Sequence, residues 1–181
     1  MSVLRVYTDS DITNLLFTTD DPKKMAARLA EAGVRFEQWK TDADLEPGAS
    51  HEDVISAYRQ DIDRLIAEDG YQTVDVVSLS ADHPQKKEFR QKFLSEHTHS
   101  EDEVRFFVGG EGLFTLHIGK KVYEVLCTEG DLISVPANTT HWFDMGPNPN
   151  FIAIRLFNNP EGWVANFTGS DIATRFNRLE N

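Results

Sequence analysis

A chain of 181 residues, 40% of them hydrophobic, has material for one core of ordinary size and too little for two independent domains. A formal net charge of −12 repels nucleic acid and anionic lipid, and no apolar run approaches the roughly 20 residues of a membrane span, so neither partner is expected. The lone cysteine, Cys127, closes no intrachain disulfide, and the opening MSVLRVYTDSD lacks the apolar core of a secretion signal, which places the chain in the reducing cytoplasm.

In chain order, the first predicted element is a helix from about Pro22 to Gly33. Proline suits a first turn, Met25, Leu29 and Ala30 share one apolar face, and glycine provides the stop. VRFEQW should follow as a short strand. In SHEDVISAYRQDIDRLIAEDG, residues 50–70, Val54, Ile55, Tyr58, Ile62, Leu65 and Ile66 recur at helical spacing between a Ser50/Asp53 cap and Gly70, which predicts one amphipathic helix. TVDVVSLS reads as a strand. ADHPQKKEFRQKF reads as a third helix, opened by Asp82 with Pro84 in its first turn.

Beyond Phe93 the texture changes to six short β-branched or aromatic runs: VRFFV, LFTLHI, KVYEVL, DLISVP, HWFDM and FIAIRLF, with a hairpin turn at Gly119. They predict a mainly β protein, an antiparallel sandwich or small barrel. The expected layout is a single domain over 1–181: a helix-rich part at 1–93 packed outside, a barrel core at 94–168 and a tail at 169–181.

Candidate chemistry concentrates in EHTHSEDEVRFFVGG, residues 96–110. In an extended segment His97 and His99 leave the same face, and Glu101, Glu103 and Arg105 share their parity while Glu96 does not. An H-x-H pair alone does not separate ligands from solvated or core histidines. His141, behind Pro136 in GDLISVPANTTHWFDMG, adds a third imidazole that strand pairing can bring to the same interior face. His51 and His83 stand at helix starts, where solvated or capping roles are expected, and His117 beside the hairpin turn is expected to be a non-ligand.

These spacings resemble the two motifs of the cupin superfamily. His97, His99, Glu103 and Gly110 hold the register of the first, and Gly130, Pro136 and His141 that of the second. Asn138 stands where glycine is usual, a mild departure because asparagine tolerates left-handed turns, and Met145 stands where asparagine is usual. HTHSEDEVRFFVGGEGLF, DLISVPANTTHWFDMG and FNNPEGW, with AGVRFEQW and the long helix, resemble the acireductone dioxygenase family over nearly the whole chain.

The resemblance implies a single cupin-type antiparallel β-barrel, a jelly roll with the N-terminal helices outside. It implies a monomer of methionine salvage that cleaves 1,2-dihydroxy-3-keto-5-methylthiopentene with O2, using one Fe(II) or Ni(II) per chain. The Fe(II) form would yield formate and 4-methylthio-2-oxobutanoate. The Ni(II) form would yield carbon monoxide, formate and 3-methylthiopropanoate. Carried over, His97, His99, Glu103 and His141 would be the metal ligands, a register that leaves out Glu101, and Arg105 would be the catalytic cation beside the substrate. Phe93, Phe143 and Trp163 would wall the methylthio tail. Arg155, inside the apolar strand FIAIRLF, needs a partner in the barrel or at its mouth and is a second substrate-binding candidate.

Three imidazoles and a carboxylate suit a six-coordinate first-row divalent ion with two positions left for a chelating enediolate; structural zinc would favour a closed site with thiolates. Other readings stay open at this point. Arg105 could pair with Glu101 or Asp102, the aromatics could be ordinary core, and Cys127 reads as a small buried hydrophobe. A different cupin reaction would share the ligands but not NPEGW or the helical first half. A DNA-linked sensor would need a basic helix, yet acidic residues outnumber basic ones across 1–90.

Overall fold

The computed structural model describes residues 1–40, 45, 49–159, 161 and 164–181. Its organising element is β6 (Glu103–Ile118; elements are numbered in chain order), a strand of 16 residues. The sequence divides this stretch into VRFFV and LFTLHI, but the backbone runs straight through. The first half of β6 pairs with β8 (Asp131–Val135) and β10 (Phe151–Phe157), and the second half with β7 (Lys121–Thr128) and β9 (Thr140–Asp144), all antiparallel. One strand thus serves two sheets.

The join explains Gly109–Gly110. Phe107 packs into the inter-sheet core from the first half of β6, whereas Phe114 and Leu116 do so from the second, so inward parity flips between them. Gly110 has φ 73, and a Cβ there would overlap the Asn150 backbone. Glycine is required twice over, for the left-handed backbone and for the close approach. Gly110→Ala is expected to cost about 2 kcal/mol or more, read as a lowered urea midpoint.

The first sheet continues outward to β4 (Thr73–Leu79) beside β10 and β3 (Arg35–Gln38) beside β8. The second runs β11 (Asn166–Phe167), β5 (His97–Thr98), β9, β6, β7, β1 (Val3–Thr8), β2 (Asp11–Thr19). Neither closes into a ring among the described residues; facing each other across a shared strand, they form a jelly-roll sandwich of the cupin type. The β1–β2 hairpin and β11 have no counterpart among the sequence expectations.

The helices lie outside. In α1 (Pro22–Glu31), Asp21 caps the first turn by accepting from Lys23 N at 2.9 Å, and Met25 and Leu29 join Leu4, Val6 and Phe36 in the core. The helix expected over 50–70 is two, α2 (His51–Ala57) and α3 (Arg59–Asp69), because Tyr58 leaves the helical region at φ −113, ψ 20. Its ring packs edge-on against Phe106, with centroids 5.1 Å apart. The apolar stripe survives the bend: Val54, Tyr58, Ile62 and Leu65 cover the outer face of the first sheet at Val104, Phe106 and Ile154.

The helix expected to open at Asp82 starts later, as α4 (Lys86–Phe93), since Pro84 sits in a preceding turn where Gln85 N donates to His83 Nδ1 at 3.1 Å. The buried Asp144 carboxylate ties α4, β9 and the tail together by accepting from Arg90 Nε at 2.8 Å, Gly146 N at 2.8 Å and Leu179 N at 2.9 Å. Among the described residues no helix is long and apolar enough to cross a membrane.

Candidate metal centre

Strand pairing assembles the cluster. His97 on β5 lies directly opposite His141 on β9, and His141 is itself opposite Leu116 of β6, which fixes its inward face. Glu103 opens β6 and His99 follows β5. None of the four is more than 4% exposed. One ligand-capable atom from each of His97, His99 and His141 lies within 4.8 Å of the others.

Backbone carbonyls orient all three rings. Nδ1 of His97 donates to Ser95 O at 2.7 Å, that of His99 to Val164 O at 3.2 Å, and that of His141 to Thr139 O at 2.8 Å. A carbonyl can only accept, so each Nδ1 carries the proton and each Nε2 presents a lone pair. Glu103 Oε2 then stands 2.7 Å from His141 Nε2 and 3.5 Å from His99 Nε2. Two acceptors at such a distance repel unless a cation or an added proton lies between them. The donor set, three imidazole nitrogens and one carboxylate oxygen, fits a first-row divalent metal ion.

The electrostatics agree with that chemistry. Burial drives the His97 pKa down from 6.5 to about 4, helped by the neighbouring His141, and burial likewise lowers that of His99. Both imidazoles are therefore neutral at pH 7, the state in which they ligate. Burial alone would raise the Glu103 pKa, but neighbouring groups, the Arg105 guanidinium foremost, outweigh it and hold the carboxyl well below the ordinary range. The negative charge stays on Glu103.

A second layer of contacts locks the two ligand-bearing segments to each other. Ala137 N donates to an Asp102 carboxylate oxygen at 2.9 Å, and Asn138 N to His99 O at 2.8 Å. Asn138 has φ 62, the left-handed conformation that its place in the second motif requires. Asp102, whose role the sequence left undecided, therefore pins the turn that delivers His141.

Arg105 joins the cluster to a cavity. Its Nη2 donates to Glu103 Oε1 at 2.9 Å, and its guanidinium lies 5.0 Å from the Phe143 ring centroid, 5.4 Å from Phe114 and 5.9 Å from Phe93. It also lines a cavity of about 330 Å³ whose apolar wall includes Leu79, Phe93, Met145 and Phe151 and whose other cations are Lys92 and Arg155. Arg155 faces Arg105 in register across β6 and β10 and is held by Asp75 on β4, Nε to Oδ1 at 2.8 Å and Nη2 to Oδ2 at 2.5 Å. A wider groove of about 880 Å³ beside Phe36, Trp39 and Arg64 contains none of this chemistry.

The remaining sequence candidates divide as follows. Phe93 lines the cavity, whereas Phe143 lies in the core beneath Arg105, 4.8 Å from the Phe114 ring. Trp163 lies outside the described residues. His51 and His83 border the cavity and lie outside the imidazole cluster, as does His117, which bonds Glu96 and Asp9. Cys127 is buried, and burial pushes its thiol pKa up. Sequence reasoning missed Asp75 and Lys92. A signal for Asp75 existed: a lone acid in TVDVVSL and a lone arginine in FIAIRLF fall opposite each other once the strands pair.

Comparison with known proteins gives the same direction throughout. The profile of the ARD/ARD' family matches residues 3–165. The acireductone dioxygenase of Alcanivorax borkumensis is 65% identical over 178 residues, 98% of each chain. That of Pseudomonas fluorescens is 63% identical over 183 aligned positions, covering both chains completely. Among solved structures, acireductone dioxygenase from Bacillus anthracis, with a cadmium ion in its active centre, superposes with a TM-score of 0.82 at 30% identity, over 92% of this chain and 98% of that one.

Proposed function

Since the chain belongs to the ARD/ARD' family and works as a metal-dependent dioxygenase on an acireductone, we propose that its resident ion is Fe(II) or Ni(II), one per chain, held by His97, His99, Glu103 and His141. The observation that carries this reading is the common orientation of the three imidazoles, each with Nδ1 committed to a backbone carbonyl and Nε2 turned to the shared space beside Glu103. We take the protein to act as a monomer in the cytoplasm, with acireductone and O2 as its partners. When bound, the ion supplies Lewis-acid polarisation of the enediolate oxygens and the redox chemistry that O2 demands.

The chain's own residues supply the rest. Arg105, buried in a ring cage and bonded to Glu103, places a fixed positive charge where an anionic substrate must lie, with no reorganisation during reaction. Arg155, already oriented by Asp75, and Lys92 add positive charge to the same cavity. Leu79, Phe93, Met145 and Phe151 exclude water from the side where an apolar methylthio tail fits. We take 1,2-dihydroxy-3-keto-5-methylthiopentene as the substrate.

Anaerobic reconstitution of metal-free protein tests this. With Fe(II), added acireductone and O2 should give formate and 4-methylthio-2-oxobutanoate; with Ni(II), carbon monoxide, formate and 3-methylthiopropanoate. Substrate loss no faster than with free metal ion would sink the reading.

A further inference from the structure

Glu96 is a buried carboxylate, 4% exposed, that the ligand set does not use. Its Oε1 accepts from Thr168 Oγ1 at 2.8 Å, its backbone carbonyl accepts from Thr168 N at 3.2 Å, and its Oε2 lies 2.7 Å from His117 Nδ1. His117 Nε2 in turn reaches Asp9 Oδ2 at 3.2 Å. His117 lies on β6, Glu96 immediately precedes β5, Asp9 immediately follows β1, and Thr168 follows directly on β11.

The strap from Val164 to Thr168 touches the cluster at two points. Val164 O accepts the proton that fixes the His99 tautomer, and the Phe167 ring stands edge-on to His97 with centroids 5.8 Å apart. Yet the strap has little to hold it. Its ladder to β5 is two residue pairs, Asn166 with Thr98 and Phe167 with His97, and Phe167 is 58% exposed. Not one side chain from 164 to 168 is buried. With almost no apolar area removed from water, a two-residue strand sits at the low-stability end of a fold. The polar seat on Glu96 is then the principal anchor.

We propose that Thr168, seated on Glu96, is a positioning residue for the metal: it latches the 164–168 strap so that the Val164 carbonyl keeps His99 Nε2 unprotonated and Phe167 shields His97. The inference rests on the ligand set proposed above. Without the latch, the His99 ring loses its Nδ1 acceptor and is free to carry its proton on Nε2, a tautomer that cannot ligate.

The test compares wild type, Thr168→Val, Thr168→Ser and Glu96→Leu, each loaded with Ni(II) and mixed with excess EDTA. Elemental analysis of desalted samples then follows the nickel that remains. Thr168→Val keeps the shape but removes the donor, and should release nickel about 10- to 100-fold faster, the usual cost of losing an outer partner of a ligand. Thr168→Ser should release at the wild-type rate, and Glu96→Leu, which removes the acceptor, faster than wild type. Thermal midpoints of the metal-free Thr168 variants should lie close to wild type, because the 164–168 strap adds almost no buried surface. Equal release by wild type and Thr168→Val overturns the latch, and so does equal acceleration in Thr168→Ser. If Thr168→Val does not fold, wild-type release by Glu96→Leu, which has no acceptor for Thr168 Oγ1, overturns it. A wild type that retains no nickel overturns the ligand set and the latch together.

Discussion

His141→Ala is expected to give a folded protein that no longer retains one metal ion per chain and turns over acireductone no faster than free metal does. His141 is 2% exposed, it faces His97 across the β5–β9 ladder, and its Nε2 is the nitrogen nearest to Glu103. Removing it takes away one of the three imidazoles proposed to hold the ion. Loss of an outer partner costs about 10- to 100-fold in affinity, and loss of a ligand must exceed that. The fold should survive, since Phe143 and Trp142 on the same strand carry its packing on either face. His83→Ala is the matched control: it removes a histidine that borders the cavity but stands outside the cluster, and should retain stoichiometric metal. Elemental analysis after gel filtration separates the two. Full metal in His141→Ala would mean that the ion sits elsewhere.

How much of this was legible in the sequence depends on whether the determining pattern was local. The inward parity of His97, His99, Glu103 and Arg105 is local, and the structure gathers all four. The short β-branched or aromatic runs in TVDVVSL, KVYEVL and FIAIRLF likewise locate β4, β7 and β10. Elements fixed by tertiary pairing were not legible. β5 and β11 are two residues each, too short for any period. β2 is a sheet edge that leaves Leu15 and Leu16 side by side and nearly half exposed, so its apolar residues do not alternate. The break at Tyr58 leaves the 3.6-residue stripe intact, so periodicity alone cannot show it. Glu96 illustrates the same limit: its parity excludes it from the ligands, but its engagement with His117 and Thr168 depends on strands far away in the chain.

Arg105→Met should have the second large effect, and its size should depend on whether the metal is present. Arg105 and Glu103 are each 3% exposed and bonded at 2.9 Å. Taking one partner from a buried pair costs about 3–5 kcal/mol, because the other is left charged in a medium that solvates it poorly. In the metal-free protein Glu103 would keep only its histidine neighbours, and its pKa should rise, since Arg105 is the strongest of the groups that depress it. A divalent ion beside Glu103 returns the missing positive charge, so the loaded variant should lose much less stability than the metal-free one. The raised carboxyl pKa also lets protons compete with the metal, so retention should weaken further as pH falls. Turnover should drop about 10²–10³-fold, the usual loss when one fixed donor to a developing anion is removed. Arg105→Lys keeps the charge without the planar fork and should fall between the two. Thermal unfolding of metal-free and loaded forms, with steady-state rates, reads all of this. Equal destabilisation in both forms would reduce Arg105 to a packing residue, and undiminished turnover would remove it from the substrate side of the cavity.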